Sequence, residues 1–257
     1  MSAQPLRVSP RWLELREPAD AAARSGELAE RLGRRLPAGR LVIHDLGGGS
    51  GAMGRWLAPR LRGPQHWVVH DRDAALLELA AADVPAGVTV EVRESDITRL
   101  EPGDLAGASA IVASAVLDML TADELARMLR ACAGHPMLLA MTVGGRVTLP
   151  PSDPLDARIV TAFNAHQRRR GRLGPDAVEA AVEQLPGEVL VRPSPWRLGV
   201  AHAELLAEWF GGWVAAGCKQ EPALAAEAGA YRERRLAQVA AGELAVTVEH
   251  ADLLVLP

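Results

Sequence analysis

Apolar and polar positions follow two successive rhythms along the chain. From Arg40 to Val143, short apolar runs of strand length alternate with stretches of helical spacing. Arg40–Leu46 reads as a buried strand that empties into glycines, and Ala52 to Leu61 has helical character. His66–Asp71 is a second strand, after which Asp73 caps an Ala/Leu-rich helix reaching about Ala82. Val88–Val92 alternates as a third strand and leads to Asp96; Ala110–Ala115 is a fourth. A helix over about Thr121–Ala133 has Thr121 as cap and Glu124 in the capping-box position, and Met137–Val143 is the fifth strand.

Strands alternating with helices at this spacing predict an α/β fold, a mostly parallel sheet with helices on both faces. Ahead of the first strand, Trp12–Leu36 shows helical spacing interrupted by Pro18 and Gly26, which predicts two short helices rather than one, forming an N-terminal helical arm over residues 1–36. Beyond Gly144 the rhythm changes. A Pro-rich loop (149–154) precedes helices near 155–170 and 174–185, a sixth strand at 188–192, and helices near 202–216 and 222–241. The last strand starts at Ala245 and extends toward Leu256. The expected division is an arm followed by one domain over 37–257, with helical insertions at about 144–185 and 200–241.

Composition narrows the partner. A net charge of −4 and 49% hydrophobic residues describe an ordinary folded chain with no global attraction to polyanions. The run Arg168-Arg169-Arg170-x-Arg172 is too local to suggest nucleic acid, so a small molecule is the expected partner. The first residues lack a secretory pattern, and no stretch approaches the roughly 20 apolar residues that span a bilayer, so a cytoplasmic, non-membrane protein is expected. Cys132 and Cys218 fit neither a disulfide framework nor a zinc site, and no metal is expected.

The glycines carry the chemistry. A strand, a glycine loop and a helix expose backbone N–H groups to a ligand. The literal pattern G-x-G-x-x-G occurs at Gly49–Gly54, but three residues and two further glycines intervene after Ile43, which disfavours an NAD(P)-dependent oxidoreductase. The fuller pattern Asp45-x-Gly47-x-Gly49-x-Gly51 resembles motif I of the class I S-adenosylmethionine-dependent methyltransferases. Asp71 follows about twenty residues on, and Ser95-Asp96-Ile97 and Ala113–Leu120 resemble that family's later motifs. Gly54–Leu61 and Phe163–Arg168 are similar to segments of actinobacterial members.

The resemblance implies a Rossmann-like seven-stranded sheet whose last strand is antiparallel, and S-adenosylmethionine as cofactor. By the same resemblance Asp45 holds the cofactor's methionine portion, with Gly47, Gly49 and Gly51 passing beside it. Asp71 would bind the ribose hydroxyls, Arg72 would lie against adenine, and Asp96 with Ile97 would contact the adenine edge. Ser114 stands beside the sulfonium, and Arg24 of the arm is a candidate for the cofactor carboxylate.

Methyl transfer is an in-line displacement that needs alignment more than a covalent nucleophile. Asp118, just past strand four, is the first candidate for acceptor orientation or proton removal, and His166 the second, on a helix expected to cover the pocket. Trp196, Trp209 and Trp213 are expected in the core, with one or two free to wall an acceptor pocket, and Tyr231 on the surface. The leading expectation is a small-molecule methyltransferase. Its rivals are a non-catalytic cofactor-binding module and an enzyme using the same cofactor for other chemistry.

Overall fold

The computed structural model describes residues 8–257. Helix α1 (Pro10–Ala23) opens on Ser9, whose side chain accepts the Trp12 N–H, with a proline at its first position. The two helices expected are present, but their break falls at Arg24–Ser25 and not at Pro18: α1 continues to Ala23, and α2 (Gly26–Arg35) restarts on Ser25 as cap. A proline inside a helix forfeits one backbone bond. Here side chains on both flanks tie the helix down: Trp12 packs edge-on to Trp196 at 6.3 Å, and Asp20 accepts from the Trp196 indole at 2.8 Å.

The strands are β1 (Leu41–Leu46), β2 (Gln65–Asp71), β3 (Val88–Glu94), β4 (Ala110–Ser114), β5 (Met137–Thr148), β6 (Glu188–Pro193), β7 (Trp196–Leu198) and β8 (Val246–Leu256). They form one sheet in the order β3-β2-β1-β4-β5-β8-β6. β1 to β5 pair in parallel, and β8 inserts antiparallel between β5 and β6. This is the seven-stranded path expected. β7, three residues that carry no strand signal of their own, pairs with the early part of β8 as an additional member.

Between the strands lie α3 (Ala52–Leu57), α4 (Ala74–Ala82), α5 (Ala122–Ala131), α6 (Asp156–Gln167), α7 (Ala177–Gln184), α8 (Ala203–Gln220) and α9 (Ala225–Ala240). Strand alternation sorts the core into two layers. Ile43, Ala110, Val112, Leu138 and Ala140 join the layer formed with α2, α3, α6, α8 and α9. Ile111, Ala113, Met137, Leu139 and Leu253 join the layer formed with α5 and α7. Tyr231 of α9, expected at the surface, is fully buried, and its hydroxyl donates to Asp156 at 2.6 Å.

β5 runs past Val143 because the long β8 pairs with its extension. Its register shifts between Leu139 and Thr142, where Met141 takes a positive φ of 57°. Buried Asp252 of β8 holds this distortion. Its carboxylate accepts from the Met141 N–H at 2.8 Å, the Ser25 N–H at 2.7 Å and the Ser194 hydroxyl at 2.6 Å. Burial pushes the Asp252 pKa above the usual carboxylate value, against the pull of these donors. One side chain thus joins the α1–α2 junction, the bulge in β5 and the turn after β6.

Candidate active site

The C-terminal ends of the parallel strands open into a cavity of about 1080 Å³, the position at which open α/β sheets bind ligands. Gly47, Gly49, Asp71, Arg72, Ile97, Ser114 and Asp118 all line it. Trp12, Leu13 and Arg16 of α1 line it too, so the arm packs over the strand ends. A recess of about 60 Å³ lies beneath α1 and is bounded by Arg24, Asp45, the loop 47–50 and Ser114.

Asp45 ends the buried strand β1 and is itself completely buried. Neither of its carboxylate oxygens has a hydrogen-bond partner among the described residues. Burial raises its pKa to about 7, opposed by the Arg24 guanidinium. A buried carboxylate without a donor is costly, so the recess is built for a cationic group. Arg24 is buried opposite, donates to the Ser114 hydroxyl at 3.0 Å and is held by Asp20 at 4.0 Å. A carboxylate facing a guanidinium across a small recess matches the two charged ends of an amino acid.

The glycine loop leaves this recess clear. A Cβ on Gly48 would stand 2.7 Å from the Asp45 Oδ2 and 2.7 Å from Val69, so this position admits no side chain. Gly49, with φ of 53°, turns its N–H to Asp71 Oδ2 at 2.9 Å, while Asp71 Oδ1 accepts from the Asp73 N–H at 3.0 Å. Asp71 therefore braces the loop and still faces the cavity with lone pairs to spare. Gly48 fell between the glycines of the sequence motif, and only the approach of Asp45 reveals its role.

Three expected site residues lie elsewhere. Gly51 caps α3 with φ of 84° and is not part of the cavity lining; a Cβ there would point at Ala80, at 3.3 Å. Asp96 is not part of the lining: its Oδ1 accepts from the Thr98 N–H at 3.0 Å and hydroxyl at 2.7 Å, capping a short turn, while Ser95, Ile97 and Thr98 face the ligand space. His166 turns to the Ala216 carbonyl of α8, whereas Phe163, Asn164 and Gln167 of the same helix line the cavity. At about 100° per residue, His166 sits roughly 100° round α6 from the middle of that face.

Asp118 lies in a short turn (Leu117–Met119) at the cavity wall, 9% exposed, with Oδ1 unpartnered among the described residues. The cap of α5 is Thr121, through a reciprocal box with Glu124, so Asp118 is free of that duty. Burial raises its pKa to about 6, against the guanidinium groups of Arg16 and Arg172. His250, which the sequence pattern did not single out, also lines the cavity; burial lowers its pKa to about 4 and leaves it a neutral imidazole packed 5.2 Å from Trp196. Trp196 and Trp209 share the wall with Trp12, whereas Trp213 is a core residue.

Residues 43–135 match the family model for a methyltransferase domain. This segment carries a methyltransferase domain, and S-adenosylmethionine is its cofactor. No curated protein matches the chain. Among solved structures, this methyltransferase is similar to a proposed type II methyltransferase from Anaeromyxobacter dehalogenans, at 20% identity and TM-score 0.53, with 88% of this chain and 94% of that one covered. A proposed methyltransferase from Bacillus halodurans C-125 aligns at 14% identity and TM-score 0.47, covering 90% and 97%. Phosphoethanolamine N-methyltransferase 2 from Haemonchus contortus aligns at 17% and 0.45, covering 98% of this chain and 61% of that one. At these identities the likeness is one of fold. The antiparallel β8, inserted beside β5, likewise separates the methyltransferase sheet from the all-parallel dinucleotide sheet.

Proposed function

We propose that this methyltransferase acts on a small-molecule acceptor enclosed by α1, the end of β5 and α6, with Asp118 as the group that orients the acceptor and takes its proton. The observation that carries the reading is one continuous cavity with the glycine loop at one end and the buried, half-unpartnered carboxylate of Asp118 at the other.

Asp45 and Arg24 would hold the amino-acid portion of the cofactor, Asp71 the ribose hydroxyls, and Arg72 and Ile97 the adenine. When bound, S-adenosylmethionine supplies an electrophilic methyl group on sulfur. The chain's own contribution is then alignment and exclusion of water. Trp12, Leu13 and Arg16 cover the strand ends, and Ser114, hydrogen-bonded to Arg24, fixes the floor. Asp118, with a pKa near 6, is mostly ionised at neutral pH and can accept a proton from a hydroxyl or amine as that group attacks. We also infer a cytoplasmic setting, in keeping with the free thiols Cys132 and Cys218.

Calorimetry with S-adenosylhomocysteine tests the cofactor half: wild type binds, and Asp45→Asn loses at least about a hundredfold in affinity, because its amide cannot pair with an ammonium. Asp118→Asn binds the cofactor product as wild type does but loses about 10²–10⁴-fold in kcat, the range for removal of a general base. In wild type, kcat/KM falls as pH drops below about 6, where the Asp118 carboxylate is protonated. Unchanged turnover in Asp118→Asn would remove Asp118 from this role; binding of a nicotinamide nucleotide in place of S-adenosylhomocysteine would overturn the reading as a whole.

A further inference from the structure

The charges around the cavity are unevenly distributed. Near the glycine loop stand Asp71, Asp73, Glu78 and Glu94, with Arg72 as the opposing cation. Toward β5 and α6 the lining carries Arg146, Arg170 and Arg172. The acids nearby form no close ion pair with them, although the Arg172 charge reaches Asp118. Glu124 accepts from the Thr121 N–H in the α5 capping box, and Asp118 keeps its Oδ1 without a partner. Arg16, the other cation of this end, is already matched by Asp20 at 2.9 Å.

None of the three arginines has an ion-pair partner among the described residues. Their neighbours do. Arg168 forms a two-pronged pair with Asp176 at 2.6 and 2.7 Å, and Arg158 pairs with Glu227 at 2.7 Å. Three unpaired cations along one rim of a cavity, in a chain of net charge −4, concentrate positive potential where a ligand enters.

The segments that bear them are fixed rather than loose. Arg170 adopts a positive φ of 61° directly after α6, a conformation costly for a side-chain-bearing residue outside glycine. The Leu173 N–H donates to the Leu120 carbonyl at 2.8 Å, and Arg172 bridges Thr121 as an isolated strand pair. The loop is thus fastened to the residues that follow Asp118. On the facing side, Asn164 of α6 donates to the Gly145 carbonyl at 2.8 Å, which holds the segment of β5 that presents Arg146. The aromatic side chains Phe163, Trp196 and Trp209 line the same cavity as these cations and Asp118.

Resting on the methyltransferase reading of the same cavity, we propose that the methyl acceptor is a small amphipathic anion. Its carboxylate or phosphate group pairs with Arg146, Arg170 and Arg172, and its apolar or aromatic body lies against Phe163, Trp196 and Trp209. Guanidinium groups favour planar or tetrahedral oxyanions through paired N–H donors, and stacked aromatic walls favour a flat apolar body.

The test uses the full chain saturated with S-adenosylhomocysteine, whose own binding isotherm is recorded first. Failure of that isotherm overturns the cofactor assignment on which the proposal rests. Benzoate, phenyl phosphate and benzyl alcohol are then titrated into the loaded protein and followed by calorimetry and tryptophan fluorescence. At least one anion is expected to bind ten or more times more tightly than benzyl alcohol and to weaken as salt is raised, and the preferred anion identifies the group. Combined R146Q, R170Q and R172Q substitution should remove the preference at least tenfold while S-adenosylhomocysteine affinity stays within about twofold, which also shows that the variant folds. R146Q alone, at an exposed position, should lose a smaller part. Equal binding of the neutral and anionic probes, no binding of either anion, or an unchanged preference in the triple variant each overturns the proposal.

Discussion

The two ends of the cavity are made in different ways. Most of the cofactor end comes from one stretch of chain, in which β1, the glycine loop, the end of β2 and the turn after β3 succeed one another between Leu41 and Thr98, with Arg24 and Ser114 added from either side. The proposed acceptor end gathers Trp12, Asp118, Arg146, Phe163, Arg172, Trp196, Trp209 and His250 from eight separate places. A ligand common to a whole class is met by a local unit whose parts keep fixed spacing. A ligand particular to one enzyme is met by an assembly that tertiary packing alone brings together.

The sharpest way to break this contrast is at Gly48. Gly48→Ala places a Cβ against Asp45 and Val69, and affinity for S-adenosylhomocysteine should fall by roughly a thousandfold, since relief requires moving the buried carboxylate. Retained affinity in calorimetry would show that the cofactor end is not a rigid unit. The next effect belongs to the seam between the ends. Asp252→Ala leaves the donors of Ser25, Met141 and Ser194 without their acceptor and should cost about 3–4 kcal/mol, read as a fall in Tm on the order of 10 °C.

A smaller effect separates cofactor-free from loaded protein. The pKa of Asp45 is raised in the folded chain, so the folded state holds a proton that the unfolded chain releases between pH 4 and about 7. The stability this contributes is present at low pH and is lost as pH rises to 7. Cofactor-free Asp45→Asn should therefore be more stable than wild type at pH 8, by about 1–3 kcal/mol, and the gap should close near pH 4. Thermal melts across that range decide it, and a gap independent of pH would show that Asp45 is already paired. The smallest effect is expected at His166, where alanine should change kcat by less than about threefold because the ring faces α8. A tenfold loss would return His166 to the site.

The same division decides how much the sequence reveals. The five parallel strands, the glycine loop, and Asp45, Asp71 and Asp118 at or just past strand ends are legible because strand, turn and cap signals are local. Asp96 shows the limit of that locality. An acid after a strand is both a family signal and a turn cap, and Thr98 claims it as the second. His166 fails for a geometric reason, since neighbours three and four apart on a helix share a face only partly. His250 and Arg146 carry no local signal at all; they reach the cavity only when β8 inserts beside β5. Pro18 teaches the converse, a strong local signal overruled by Trp196 far along the chain.

The distortion in β5 at Met141 gives this division a place. Before it, Met137–Ala140 pairs with β4 and belongs to the scaffold that every part of the fold shares. After it, Val143, Gly145, Arg146 and Val147 face the cavity. One strand therefore contains a segment that builds the sheet and a segment that lines the cavity, joined at a bulge anchored from outside by Asp252. For diversification, natural or in the laboratory, the bulge marks a cut point: cassettes exchanged beyond residue 142 would rewrite which molecule is methylated while leaving the methyl donor's berth in place.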